Sequence, residues 1–389
     1  MSTRATVVVL GILGRTPFAG VAWQVLHYLE GLRRLGHDVY YVEDTGAWPY
    51  DGDRDTVSGD CGYTVAYIAG LMERYGLSDR WAYRCAPESG RVHGLSPSGL
   101  RALLGRADAL LNLTGATVLR EEHLRVPVRI YVETDPVVPQ IQVAQGVRFT
   151  IDLLSAHTHH FTFGENLGTR DCQVPVERFT YRPTRQPIVL DWWGADGDGA
   201  PAGPTFTTVA SWRQTDRDIQ WNGETYRWSK HFEFEKFIDL PHRARQPLEL
   251  ALAADADTFR YLRGHGWSVV DALSLTRRAE TYRDYVIRSA GEFTVAKDQN
   301  VRLRSGWFSD RSASYLAAGR PVVTQDTGFG RVLPTGRGLF AFRSMDEILA
   351  ALDEIRADYG AHRRAAREIA REHFHAERVL SALLEPAGL

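Results

Sequence analysis

Residues 305–319, SGWFSDRSASYLAAG, run directly into residues 320–329, RPVVTQDTGF, and this order of residue types suggests an anion site. A Gly/Ser-rich turn that opens a helix leaves backbone N–H groups unpaired and presents the positive end of the helix dipole, which suits a phosphate or diphosphate. Ser309 and the backbone of residues 305–309 are the candidate phosphate contacts. Gly319-Arg-Pro then stops the helix, and Val322-Val323 forms a short buried strand. Gln325, Asp326, Thr327 and Gly328 stand just past that strand's carboxyl end, where open α/β sheets bind their ligands. The same four residues also make an ordinary turn signal.

Acid–base chemistry has its candidates in the first half. Glu133 and Asp135 follow an apolar run, and a general base is usually Asp, Glu or His. Asp135 precedes Pro136, so shaping a turn is its alternative role. His157 belongs to His157-Thr-His-His160, where three imidazoles suggest a metal. Strand alternation, however, sends His157 and His159 to one face and His160 to the other, with no cysteine or carboxylate pattern beside them, so no metal is expected. His157 then either faces a cleft or is a hydrogen-bonded core residue. In Gly11-Ile-Leu-Gly14-Arg15, Gly14 permits close backbone approach and Arg15 offers a cation. Two further cations, Arg213 and Lys230, border the aromatic-rich segment 212–237, which is expected to pack structurally while Lys230 projects into a site.

These residues need elements to hold them. Residues 6–10 read as a strand, Val21, Val25, Leu29, Leu32 and Leu35 recur at helical spacing, and residues 36–43 form a second strand. That is a βαβ unit, the building block of a parallel sheet. Further strands are expected at 109–113, 128–132 and 160–163. From 174 to 203 the texture changes, and the Gly/Pro stretch 194–204 reads as a linker or exposed loop. A second α/β series follows: a strand at 206–210, a long loop to Lys230, strands at 248–251, 267–270 and 293–296, helices at 257–263 and 276–289, and helix from 343 onward.

The 389 residues are too many for one ordinary core and suggest two domains. A formal net charge of −2 provides no basic field for nucleic acid, so none is expected as a partner. Three cysteines, widely spaced and odd in number, argue against a disulfide framework and fit a reducing compartment. There is no apolar run of about 18 residues and no cleavable leader pattern, so a cytoplasmic protein without an integral membrane segment is expected.

Ala317-Ala-Gly-Arg-Pro-Val-Val323, Asp326-Thr-Gly328 and Gly338-Leu-Phe-Ala341, in that order and spacing, resemble the donor half of GT-B glycosyltransferases of the bacterial, nucleotide-sugar-dependent type. The Gly-rich first loop and Gly36-His-Asp-Val39 resemble their N-terminal half. The likeness covers nearly the whole chain, but only about 45 residues, roughly 300–345, are specific. It implies an α/β protein of two Rossmann-like domains facing across a cleft: an acceptor-side domain at 1–187, a nucleotide-sugar-binding domain at 188–370, and a C-terminal helix at 371–389 that packs back on the first.

The resemblance further implies transfer of a hexosyl-type sugar from a UDP-, GDP- or dTDP-linked donor to a small-molecule or glycan-precursor acceptor, with no metal and no prosthetic group, by a monomer or homodimer. Arg213 and Lys230 would meet the diphosphate, Gln325, Asp326, Thr327 and Gly328 the transferred sugar, and Gly14 and Arg15 the acceptor or a phosphate. Asp135, His157 and Glu133 are the candidates for the base. Two positions depart from the family pattern, because Ser314 and Gly306 stand where glutamates are expected. Asp310 then either takes over contact with sugar or ribose or merely caps its helix. A nucleotide-sugar 2-epimerase of the same fold and a non-catalytic nucleotide-sugar-binding protein are the alternatives. A dinucleotide-dependent oxidoreductase is disfavoured, since Gly11, Gly14 and Glu43 do not complete Gly-x-Gly-x-x-Gly.

Overall fold

The computed structural model describes residues 4–194, 203–215 and 217–389. Residues 195–202, the middle of the expected linker, lie outside the described residues. The first half of the chain builds an eight-stranded sheet in the order Tyr181–Pro183, His159–Thr162, Val128–Glu133, Ala109–Leu113, Thr6–Leu10, Asp38–Glu43, Trp81–Cys85, Arg91–Gly94. All neighbours in it run parallel except the last pair. Val7, Val8, Val9 and Leu10 are all fully buried, as a parallel strand covered on both faces requires.

The second half builds a six-stranded, wholly parallel sheet in the order Ser268–Asp271, Leu248–Ala253, Phe206–Ser211, Gly291–Thr294, Val322–Gln325, Leu339–Phe342. The α/β class with two Rossmann-like halves is therefore as expected. Helix Asp310–Ala317 packs against the two strands Gly291–Thr294 and Val322–Gln325. Its small buried residues Ser312, Ala313 and Ser314 allow that close approach, and Tyr315 shares its hydroxyl with Thr207 Oγ1 at 2.6 Å. The helix ends at a turn where Gly319 has φ +65°, a conformation that strains residues with a Cβ.

The chain crosses back at its end. Ile188 and His375 pair through Ile188 N–H to the Phe374 carbonyl (2.7 Å) and Ala376 N–H to the Ile188 carbonyl (3.0 Å). Helix Ala376–Leu384 then packs on helix Ala19–Arg34 of the first half. Gly31 makes the contact possible, for a Cβ there would come within 2.5 Å of Leu380 Cδ1. One apolar core consequently runs through both halves, joining Trp23, Leu29 and Trp193 to Tyr282, Phe374 and Leu380.

Three differences from expectation have clear causes. The loop expected before Lys230 contains a hairpin, Ile219–Trp221 with Glu224–Tyr226, turned at Asn222 (φ 50°) and Gly223 (φ 79°), the Asn-Gly pair that suits a two-residue turn with positive φ. The helix expected at 276–289 is found at Ala279–Arg288, and a separate short helix, Ala272–Thr276, precedes it, capped by Asp271 accepting from the Leu273 and Ser274 amides. Cys61 and Cys85 form a disulfide, correcting the expectation of unpaired thiols and removing the argument for a reducing compartment. The sheet brings the strand end at Cys85 beside the start of helix Gly62–Arg74, with the Cα atoms 6.3 Å apart, a proximity that a separation of 24 residues hides. Among the described residues no helix is long and apolar enough to cross a membrane.

Candidate functional site

The carboxyl ends of both sheets open on one interdomain cleft with two arms. One arm, about 820 Å³, runs over the ends of strands Phe206–Ser211 and Leu248–Ala253, past Ala272 and Leu273, to the start of helix Asp310–Ala317. The other, about 980 Å³, lies over the first half, between Thr114, Tyr131 and Pro139 on one side and Ile219 and Trp228 of the hairpin region on the other. Ile12, Thr16, Thr114, Thr134, Asp135 and Gln214 line both, so the arms meet at Asp135.

Asp135 stands just past strand Val128–Glu133, and Lys297 just past Gly291–Thr294 in the opposite half; they form an ion pair across the cleft. Asp135 uses Oδ2 for this contact, and its buried Oδ1 has no partner. The Lys297 ammonium also lies 3.2 Å from the centroid of the Trp228 ring, a cation–π contact. Lys230 sits 5.4 Å from the centroid of Trp307, whose indole N–H in turn donates to the Thr134 carbonyl at 2.9 Å. Burial, together with the charges of Arg311 and Lys297, pushes the Lys230 amine down to about 7; burial also lowers Lys297, against the pull of Asp135. A poorly solvated cluster of cations is a place where a polyanion recovers electrostatic energy.

Arg311, in the first turn of the helix, lines the first arm but is held from behind. Its Nε pairs with the fully buried Glu292, Nη1 donates to the Val209 carbonyl (2.7 Å) and Nη2 to Thr294 Oγ1 (2.8 Å). Asp310 and Ser314 line the same arm. Asp310 Oδ1 accepts from the Arg311 amide at 2.8 Å, and Ser314 Oγ donates to the Asp310 carbonyl at 3.2 Å. Ser309 is the N-cap residue by position but makes no side-chain cap, its Oγ reaching Asp310 at 3.3 Å instead.

Several expected residues stand elsewhere. Arg213 is exposed next to His231 and Asp255 and lines neither arm, because Trp212 turns into the second core and throws its neighbour outward. His157 caps the end of helix Arg148–Ser155, with Nδ1 donating to the Leu153 carbonyl (2.9 Å) and Nε2 accepting from Asn112 (3.1 Å). Burial drives its imidazole down to about 4, so it is a core histidine; the strand begins only at His159. Glu133 reaches the second arm, yet its carboxylate is taken by Gln140 and by Thr162 Oγ1 (2.6 Å), and burial raises it to about 8. Gly14 donates its amide to Glu43 at 2.7 Å beneath the loop, while Arg15 is exposed and lines the second arm.

The loop 325–328, expected to meet the transferred sugar, lines neither arm. Gln325 donates to Glu233 (2.6 Å) and accepts from the Ala296 amide; Thr327 Oγ1 donates to the Trp307 carbonyl (2.6 Å). Asp326 accepts from Arg343 and from the Gly328 amide, and the carbonyl of Gly328 accepts from Asn166 at 3.0 Å. Asp326, Gly328, Arg304 and Arg343 line a separate crevice of about 360 Å³. The side chains of Gln325, Asp326 and Thr327 are thus each engaged by neighbours.

Lys297, Trp307, Arg311 and Gln214 were not anticipated. Lys297 had a usable signal, since it lies three residues beyond a buried strand's carboxyl end. Away from the cleft, Asp44, Glu122 and His123 converge as a metal site would, but Arg84 (3.1 Å) and Arg120 (2.8 Å) supply cationic partners to Asp44.

No family model matches the sequence. No curated protein matches it either. Among solved structures the chain is similar to an alpha-glucosyltransferase in complex with UDP and a 13-mer DNA containing a HMU base, at 10% identity and TM-score 0.63, covering 100% of each chain. It is also similar to Anabaena Alr3699/HepE in complex with UDP and glucose, at 11% identity and TM-score 0.59 over 99% of this chain and 100% of that one. A third similar structure is AviGT4, a glycosyltransferase involved in avilamycin A biosynthesis, at 13% identity and TM-score 0.55 over 98% of this chain and 96% of that one. Likeness at these identities establishes the fold, the GT-B arrangement.

Proposed function

We propose that the protein is a metal-independent glycosyltransferase that moves a sugar from a nucleoside diphosphate donor to a small-molecule or glycan-precursor acceptor. The observation that supports it is the meeting of two arms at Asp135, with the start of helix Asp310–Ala317 in one arm and the ammonium groups of Lys230 and Lys297 beside the junction. The structural neighbours crystallised with UDP or glucose point the same way. In this reading residues 188–370 hold the donor, residues 1–187 the acceptor, and 371–389 belong with the acceptor side.

Glycosyl transfer breaks the C1–O bond to the diphosphate, and that electron pair leaves on the diphosphate oxygen. The helix start, Lys230 and Lys297 stabilise the developing charge, which makes a metal unnecessary. The acceptor oxygen bonds to C1 while its proton passes to a carboxylate; Asp135, which lines both arms where they meet, serves. Asp310 and Ser314 contact the nucleoside or sugar in place of the family's glutamates. The acceptor-side arm bears exposed Val118, Val147 and Phe149 at its rim, which suits a partly apolar acceptor more than a polyanion.

The test is a thermal-shift panel of UDP, GDP, dTDP and NAD(P), followed by mass spectrometry of the stabilising nucleotide's sugar conjugates with candidate acceptors. Stabilisation by a nucleoside diphosphate and a glycosylated product are expected. Stabilisation by NAD(P) alone would remove the proposal, and an epimeric nucleotide sugar would replace it with the epimerase.

A further inference from the structure

We propose that Lys297 is a positioning residue shared between the Asp135 carboxylate and the donor's diphosphate, so that an arriving donor draws the ammonium away and releases Asp135 to the acceptor. The inference rests on the transferase reading and adds an order to it: donor first, acceptor second.

Among the cations around the junction, Lys297 is placed for this exchange. Arg311 is immobilised by Glu292, the Val209 carbonyl and Thr294. Arg217 is exposed, 5.1 Å from the centroid of Trp228. Lys230 lies over Trp307. Lys297 alone of these four bonds a carboxylate of the other half, and it does so through one oxygen of Asp135. Its own side chain is 8% exposed, against 35% for Asp135, so the ammonium has little water to fall back on, and it has three donors to distribute.

The halves do not need this pair to stay together. Close by, Trp307 Nε1 donates to the Thr134 carbonyl (2.9 Å), Gln299 Nε2 to the Pro136 carbonyl (3.2 Å), and the Asn166 amide to the Ser305 carbonyl (3.0 Å). These neutral bonds hold the seam, leaving the charge pair free to rearrange. With Lys297 turned toward phosphate, Oδ2 of Asp135 is released where the arms meet, while Oδ1 stays buried. Without donor, Lys297 occupies Oδ2, and an acceptor hydroxyl competes with the amine for it.

The geometry yields affinity changes of opposite sign, which a merely structural contact would not. The probe is whichever of UDP, GDP and dTDP binds the wild type tightest, titrated calorimetrically into wild type, Asp135→Asn, Lys297→Met and the double variant. Lys297→Met should weaken binding on the order of tenfold, and Asp135→Asn should tighten it on the order of fivefold, within the usual range of coupling between sites. In the Lys297→Met background Asp135→Asn should change affinity by less than about twofold, the signature of coupling through Lys297. Lys297→Arg, which keeps the charge but not the compact ammonium, should weaken binding less than Lys297→Met and controls for folding.

Tightening of similar size in both backgrounds would mean simple repulsion between Asp135 and phosphate and would overturn the inference. So would weaker or unchanged binding by Asp135→Asn. Either result leaves the transferase reading standing, whereas a wild type that binds none of the three nucleotides ends both.

Discussion

The Glu43 carboxylate accepts the backbone amides of Gly14 and Arg15, at 2.7 and 2.9 Å, and so ties the loop that leads to the cleft-lining Thr16 to the end of a buried strand. Tyr41 adds its hydroxyl at 2.6 Å, and a Cβ on Gly14 would collide with Thr64 at 2.4 Å. The loop is therefore positioned by a carboxylate that touches no cleft. Glu43→Gln sets an amide N–H against a backbone N–H, since each oxygen of Glu43 accepts one, from Gly14 or from Arg15. It should destabilise the fold by about 1–3 kcal/mol, read from denaturant unfolding.

Burial raises Glu43 from 4.5 to about 7 and Glu133 from 4.5 to about 8. A carboxyl whose folded pKa lies above its unfolded value holds its proton better when folded. Its stabilising contribution is complete below about pH 4.5 and is lost as pH rises through 7 to 8. Unfolding free energy should accordingly fall between pH 5 and 8, by about 3 kcal/mol or more if both groups act fully. The fall should be shallower in Glu133→Gln; an unchanged slope would refute the assignment.

Lys230, lowered from 10.5 to about 7, gives the opposite slope. The unfolded chain keeps that proton to higher pH, so this group makes stability rise from pH 7 toward 10. A bound diphosphate favours the charged amine, and binding near pH 8 should take up a fraction of a proton per site. Calorimetry in buffers of different ionisation enthalpy measures it directly. Lys230→Met should abolish the uptake and weaken binding on the order of tenfold to a hundredfold.

Gly306 occupies a position where the family resemblance expects a glutamate, and the structure excludes one. Its φ is +78°, and a Cβ would lie 2.7 Å from the Asn166 backbone nitrogen in the seam between the halves. Gly306→Ala should cost about 1–3 kcal/mol, and Gly306→Glu more, with no gain in donor binding. Thermal unfolding of the two variants checks the order.

The Cys61–Cys85 disulfide closes a loop of 24 residues and should contribute about 3 kcal/mol. Unreduced protein should show one alkylatable thiol, Cys172, after denaturation. Three modified cysteines in that experiment would show that the bond does not form.

The strands at 6–10, 109–113 and 128–132 were legible because parallel strands buried on both faces need unbroken β-branched and aliphatic runs, and these are local in the chain. The Asn222-Gly223 hairpin was equally local and was overlooked within an aromatic stretch. Asp310 and Lys230 could be noticed because a helix start and a strand end are sequence signals with a chemical meaning. Arg213 carried the same signal and misled, since the inward turn of Trp212 decides its direction.

By itself, then, the sequence determined the alternation of strands and helices and the two-sheet class. Which side chains meet at the cleft was decided by the tertiary structure alone. Asp135 and Lys297 are 162 residues apart and come from different sheets, so no spacing rule connects them. His157 and loop 325–328 were drawn away from the cleft for a related reason: buried polar groups bond whatever the fold brings nearest, and Asn112, Glu233 and Asn166 were nearest.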